Sequence, residues 1–214
     1  MSNRTDFADY IVQWAQSNPQ RIDLCEAEMY AFDVKDGNNS HTSFTDDSTY
    51  SAHAFKVVNQ EPQIDVTHIC VDGGLIEYGK WDYVGDGKIH GRNDCLIISD
   101  DQLIFVELKT EITSEDDKNI WKNFNSGAKQ IKDFYIYFRN LLESQGRPIS
   151  SFFPNLNSNV LALVCIYPYP KLTIGPRKIP MTNRQKDLEK FRIATGGLKV
   201  FSKTSYKLGT SILE

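Results

Sequence analysis

The chain predicts an α/β fold with a mixed central sheet, and three observations carry that expectation. Strand-like runs with tight turns precede residue 110, a long amphipathic helical pattern follows, and residues 159–167 (NVLALVCIY) form a continuous apolar run. Such a run is the mark of a strand covered on both faces, and the order strands, helix, buried strand, helix, strand reads as α/β layers. With 214 residues, 40% hydrophobic and 24% charged, the chain can bury one core. It is read as a single domain over 1–214: an N-terminal helix, polar loop and strands in 1–74, and a core in 75–214. The composition excludes a disordered tail, a collagen-like rod and a disulfide miniprotein. No apolar run approaches the ~18 residues of a bilayer span, and the N-terminus MSNRTDFADY has no signal-peptide core. A cytoplasmic protein without membrane contact is expected.

In chain order, Phe7, Ile11, Trp14 and Ala15 form one stripe of a helix over 6–17, ended by Asn18-Pro19. Residues 34–52 are rich in Gly, Asn, Ser, Thr and Asp and predict a loop. Strands are expected at 53–59, 66–71 and 74–84, with Asp72-Gly73-Gly74 and Gly85-Asp86-Gly87 as turns. A helix over about 115–145 has Ser114 as N-cap and three acids in its first turn. Ile120, Phe124, Ile131, Tyr135, Phe138 and Leu142 recur along it at helical spacing, and Asn125-Ser126-Gly127 marks a weak point. Gly146 and Pro148 stop it. Thr182 with Gln185 resembles a capping box ahead of a basic helix over 183–194, Gly196-Gly197 ends that helix, and LKVF at 198–201 supplies a last strand.

The net charge of -4 conceals a gradient. Residues 1–120 hold 9 Lys/Arg against 23 Asp/Glu, residues 121–170 hold 5 against 2, and residues 171–214 hold 10 against 3. Net charge therefore runs from -14 through +3 to +7, a pattern suited to a polyanion held beside a cluster of carboxylates. The four cysteines, Cys25, Cys70, Cys95 and Cys165, form no CxxC pair and read as reduced thiols. His41, His53, His68 and His90 lack the spacing of a zinc site.

The chemistry concentrates in residues 92–110, RNDCLIISDDQLIFVELKT. Two apolar segments flank Ser99-Asp100-Asp101-Gln102, so a hairpin that sets Ser99 opposite Gln102 sets Asp94 opposite Glu107 and Arg92 opposite Lys109. Opposed residues share a face, with Cβ atoms roughly 4.5–5.5 Å apart. Alternation puts Glu107 and Lys109 on the row of Leu103 and Phe105, while Ile104, Val106 and Leu108 point the other way. Two opposed carboxylates repel unless a cation lies between them. Lys109 can serve, as a buried salt bridge. A hard divalent ion can also serve, since Mg²⁺ binds through one or two carboxylates and keeps waters for a phosphate. A lysine beside it can orient or deprotonate water, or stabilise a pentavalent phosphate.

Asp94, followed after twelve residues by Glu107-Leu108-Lys109, resembles the PD-(D/E)XK nuclease superfamily, with Asn93 in place of the proline. The resemblance implies a restriction-endonuclease-like αβββαβ core, a central mixed sheet flanked by helices. It also implies Mg²⁺ or Mn²⁺ on Asp94, Glu107 and the Leu108 carbonyl, with Lys109 acting on water. Many members carry Gln-xxx-Tyr in the next helix; here Gln130 supplies the glutamine, Phe134 stands at the tyrosine position and Tyr135 is one residue late. Members often carry an acid on the first helix, for which Glu28 is the candidate, with Glu26 and Asp9 as alternatives.

His90 and Arg92 share a strand face with Asp94 and are candidates for phosphate contact, as are Arg184, Lys186 and Lys190 on the basic helix. The expectation is a divalent-metal-dependent nuclease acting on nucleic acid, DNA before RNA, of a bacterial defence or restriction type, with a homodimer allowed. The rival is a non-catalytic binding or immunity-type protein on the same fold.

Overall fold

A computed structural model describes residues 3–13, 20–36, 39–60, 62–73, 91–110, 117–167 and 181–209. The strand expected at 74–84, the Ser114 cap, His90 and Trp14 lie outside these residues. Helix α1 spans Asn3–Val12 and α2 spans Asp117–Ser144; a short turn of helix, α3, covers Leu156–Asn159, and α4 covers Met181–Thr195. The strands are β1 (Arg21–Leu24), β2 (Glu28–Asp36), β3 (Asn39–Thr45), β4 (Phe55–Val58), β5 (Val66–Cys70), β6 (Cys95–Ile98), β7 (Leu103–Lys109), β8 (Val160–Ile166), β9 (Lys199–Ser202) and β10 (Ser205–Lys207). The fold is mixed α/β with two sheets.

The larger sheet has the order β1-β5-β6-β7-β8-β9. Strand β6 pairs antiparallel with both β5 and β7. The chain then crosses through α2 to lay β8 parallel to β7, and through α4 to lay β9 parallel to β8. The hairpin register is the expected one: Ile98 faces Leu103 and Cys95 faces Val106. Every residue of β8 is buried, and β7 is buried through Leu108 with Lys109 half-buried. One face carries Leu96, Leu103, Phe105 and Val164 against α2 residues such as Phe124, Ile131 and Phe138. Helix α1 closes this layer: Phe7 meets Phe138, Phe152 and Phe153 edge-on at 5.0–6.1 Å. Arg4, only 8% exposed, donates through its two terminal nitrogens to Asp23, Asp65 and the Thr67 hydroxyl, which gives Asp65 of the acidic N-terminal half a structural task.

The other face carries Cys95, Ile97, Ile104, Val106, Leu161 and Leu163, packed against Met29, Ala31, Phe44, Phe55 and Val57 of a second sheet, β10-β4-β2-β3. This sheet corrects the expected polar loop over 34–52. That stretch contains β3, paired with β2 from Tyr30–Thr45 to Asp36–Asn39, and a 3₁₀ helix over Ser48–His53 that Asp47 caps by accepting from the Thr49 N–H at 2.9 Å. Only Thr42 and Phe44 of β3 are buried among its described side chains, so its composition is that of a solvent-facing strand. β10, parallel to β4, was not anticipated either. Among the described residues, no helix is long and apolar enough to cross a membrane.

Helix α2 runs without a break through Asn125-Ser126-Gly127, and Gly127 marks a close approach instead. A Cβ there would lie 2.8 Å from Val164 Cγ1 and 3.0 Å from Glu107 Cγ, so the absent side chain lets the helix settle onto β7 and β8. A branched side chain must push the helix off the sheet. Gly127→Val should therefore destabilise the fold by about 1–3 kcal/mol despite its better helix propensity than glycine. An unchanged or higher urea midpoint would reject the packing role.

Candidate functional site

The site lies at the C-terminal end of β7, where the buried row Leu103, Phe105 is continued by Glu107 and Lys109. The Glu107 side chain is 1% exposed and ion-paired to Lys109. Lys109 Nζ also donates to Gln130 Oε1 at 2.8 Å, and Gln130 Nε2 donates to the Arg92 carbonyl at 3.1 Å. The chain from Glu107 through Lys109 and Gln130 thus ends on the backbone that leads into β6. Gly91 makes the last contact possible, because a Cβ there would fall 2.7 Å from Gln130 Cα and Cγ.

Asp94 stands one residue before β6. Its N–H donates to the Val106 carbonyl at 3.1 Å, and its carboxylate accepts from the Leu108 N–H. Its own carbonyl accepts from Val71 N–H at 2.9 Å and from the Thr42 hydroxyl at 3.1 Å. The residue is held on four sides while remaining half-buried. Neighbouring Asn93 is fully buried and donates to the Cys95 carbonyl at 2.7 Å, a hydrogen bond that the proline of the superfamily name has no side-chain donor to make.

The electrostatics are those of crowded, partly dehydrated acids. Burial pushes the Asp94 carboxyl up to about 7; Asp33 adds repulsion, while the Leu108 N–H and Lys109 oppose the shift. Burial also raises Glu107 well above the usual carboxylate range, with Asp94 adding to it and Lys109 opposing it. One oxygen of Glu107, Oε2, is buried and has no hydrogen-bond partner, although buried carboxylate oxygens are ordinarily satisfied.

Asp33 is the acid that the sequence reading missed. It lies opposite Thr42 in the β2–β3 pair, and Thr42 is bonded to the Asp94 carbonyl. Its carboxylate accepts from the Thr110 hydroxyl at 3.4 Å. Met29 and Ala31 are the inward residues of β2, and alternation makes Asp33 the next in that row. That alternation was the available signal. Glu28, the expected acid, is instead exposed and engaged by Lys56 Nζ at 2.6 Å and Tyr30 Oη at 2.9 Å.

The remaining candidates are not brought to this point. Arg92 is ion-paired with Asp72 at 2.9 Å. Phe134 is fully buried and Tyr135 4% exposed, both against Phe105. Lys186 and Lys190 are exposed on α4, and Lys190 approaches Asp187 at 3.9 Å; the side chain of Arg184 lies outside the described residues. A small cleft between α2 and α4 is lined by Lys129, Lys132 and Lys190. At 100° per residue, Lys129 and Lys132 occupy the opposite flank of α2 from Gln130. The basic helix and the carboxylates therefore do not share one surface.

The acids should register in stability. A carboxyl raised from 3.8 to about 7 stabilises the fold most below pH 3.8, and that contribution is lost as pH rises through 7. Buried His68, pushed down from 6.5 to about 3 by burial, acts oppositely: its contribution is complete above pH 6.5 and lost as pH falls. Asp94→Asn removes the first slope and keeps the second. In urea unfolding between pH 5 and 8, the variant should gain on the parent with rising pH, by at most about 1.4 kcal/mol per pH unit. A pH-independent gap would show that Asp94 titrates normally.

No family model, no curated protein and no solved structure matches this chain.

Proposed function

We propose that this chain is a divalent-metal-dependent nuclease with a restriction-endonuclease-like core, hydrolysing phosphodiester bonds in DNA. The observation that carries the reading is the convergence of Glu107, Lys109 and Gln130, hydrogen-bonded in series, beside Asp94 at the end of one buried strand. The order of elements supports it: an antiparallel β5–β6–β7 meander, a crossover helix and a parallel strand.

The donor set fits a hard divalent cation. Asp94 and Glu107 offer carboxylate oxygens, the orphaned Glu107 Oε2 lacks a partner that such an ion would provide, and Leu108, whose carbonyl would add a ligand, directly follows Glu107 in sequence. Among the described residues no group of three or more His, Cys, Asp or Glu side chains could hold a metal ion; one or two carboxylates with waters suffice for Mg²⁺. Bound Mg²⁺ or Mn²⁺ would supply Lewis-acid polarisation of the phosphate and a more acidic water. Lys109, fixed by Glu107 and Gln130, directs its ammonium to the reacting phosphate, orients the water and stabilises charge that builds on the phosphoryl oxygens. Water oxygen bonds to phosphorus and the water gives up one proton to solvent, the bond from phosphorus to the leaving ester oxygen breaks, and that oxygen takes up a proton from solvent, so that one water is consumed overall. Gln130 is a positioning residue that acts through Lys109.

One observation favours a second reading. The Lys109–Glu107 ion pair already neutralises the buried acid, as it would in a non-catalytic binding protein whose cluster is only structural. The two separate in one assay. With Mn²⁺ the purified chain should nick plasmid DNA, EDTA should abolish nicking, and Lys109→Ala should lower the rate by about 10²–10³-fold. Absence of cleavage of DNA and RNA, together with no Mn²⁺ binding, would eliminate the nuclease.

Metal binding has its own signature. Because Asp94 and Glu107 hold protons more tightly than free carboxyls, Mn²⁺ should release protons on binding near pH 6. Calorimetry in buffers of different ionisation enthalpy should show this release, and Glu107→Gln should reduce it. A binding enthalpy independent of buffer would contradict the site.

A further inference from the structure

The second sheet, absent from the αβββαβ core pattern, builds the far wall of a cleft of about 790 Å³ that opens onto Lys109. It is lined by β2 with Asp33 and Lys35, the 48–53 turn with Tyr50 and His53, and the end of β7 with Lys109, with β3 and α2 contributing one residue each. Its volume is that of a pocket for one small ligand, so it admits a nucleotide or two and not a duplex.

Tyr50 gives the cleft its character. It is 45% exposed, one of few large apolar side chains so exposed among the described residues. Its ring is stacked on Phe32 with centroids 4.1 Å apart and planes 24° from parallel. Phe32 sits on β2, so the tyrosine is backed by a strand and loses little freedom when a further ring is laid on it. An aromatic surface next to cations is how proteins hold unpaired bases along a backbone. Here exposed Lys35 and half-buried Lys109 line the same cleft as the ring. Asp33 repels phosphate from the floor but can accept from a base amino group. On the opposite flank of α2, the aromatic ring that lines the cleft with α4 is Phe191, which is buried at 6% exposure.

We infer that this cleft is a subsite for a single-stranded segment of nucleic acid, with one base stacked on Tyr50 and the adjoining phosphates directed toward Lys35 and Lys109. The inference rests on the nuclease reading for its choice of ligand, and it adds a substrate form: an unpaired strand, from a frayed end, a flap or single-stranded DNA. Base stacking is indifferent to base identity, so the subsite selects for strand form and not for sequence.

Binding measured in EDTA tests it without turnover. A labelled short oligothymidylate should bind the full chain more tightly than a duplex of equal length, by fluorescence anisotropy. Tyr50→Ala should weaken the single strand about tenfold, while Tyr50→Phe should retain parental affinity. On an oligonucleotide with abasic sites the Tyr50→Ala loss should vanish. Lys35→Glu should weaken binding of both strands and flatten the salt dependence; it guards against a Tyr50→Ala protein that fails to fold. Parental affinity in Tyr50→Ala, a preference for duplex, or a loss confined to Lys186→Ala/Lys190→Ala would overturn the subsite. Mn²⁺-dependent cleavage with Tyr50-independent binding rejects the subsite alone. Tyr50-dependent binding without cleavage of any strand upholds the subsite and rejects the nuclease.

Discussion

A carboxylate buried at the end of the central strand is the constraint around which the structure is arranged. Glu107 is placed on an otherwise apolar row and is 1% exposed. An isolated ionised carboxylate in such a position costs far more than a fold can supply. Lys109 must therefore accompany it, Gln130 must hold Lys109, and α2 must approach closely enough for Gln130 to reach. Gly127 and Gly91 are where that approach is made, one under Val164 and Glu107, the other under Gln130. Replacing the cluster by hydrophobic residues of similar volume would often stabilise a protein. Its presence, with Oε2 still unsatisfied, is a stability cost that structure alone does not repay.

The position of the cluster follows from the same hairpin. β7 is covered on one face by α2 and on the other by the second sheet, so acids inside it are dehydrated, while its C-terminal end reaches the cleft. Asp94 arrives from the neighbouring strand because the β6–β7 register brings it there, and Asp33 arrives from the second sheet through its pairing with Thr42. Asp33, Asp94 and Glu107 come from three segments, and burial first, with repulsion among these acids added, makes Asp94 and Glu107 hold their protons more tightly than free carboxyls. A cation that displaces those protons relieves repulsion and desolvation together.

What the sequence made legible was local. The β6–β7 register could be read because Ser99-Asp100-Asp101-Gln102 separates two uninterrupted apolar segments, and with it came the juxtaposition of Asp94, Glu107 and Lys109. Helix α2 was legible from its periodicity, strand β8 from its unbroken apolar run, and Gln130 from the Gln-xxx-Tyr resemblance. What failed was whatever depended on distant pairing. β3 looked like loop because few of its side chains are buried. Gly127 looked like a helix break because its reason lies across space, in Val164 and Glu107. Glu28 was chosen, with Glu26 and Asp9 as alternatives, and Asp33 was not considered, for want of the β2–β3 pairing that sets Asp33 opposite Thr42.

The charge gradient shows how far sequence-level electrostatics can carry. Several acids of the N-terminal half are bound locally: Asp23 and Asp65 by Arg4, Asp72 by Arg92, and Asp47 by the 3₁₀ turn. The basic helix is likewise part-neutralised from within, with Arg192 on Glu189 at 2.8 Å and Lys190 near Asp187. Once such neighbours are paired, surface charges contribute chiefly at long range and are screened within about a Debye length. A distant basic helix can attract a polyanion, but it cannot fix where one phosphate lies relative to Lys109. In the proposed subsite that task would fall to groups within reach of Lys109 itself, and an aromatic platform backed by a strand would meet it with less conformational freedom to lose than flexible lysines on a helix surface.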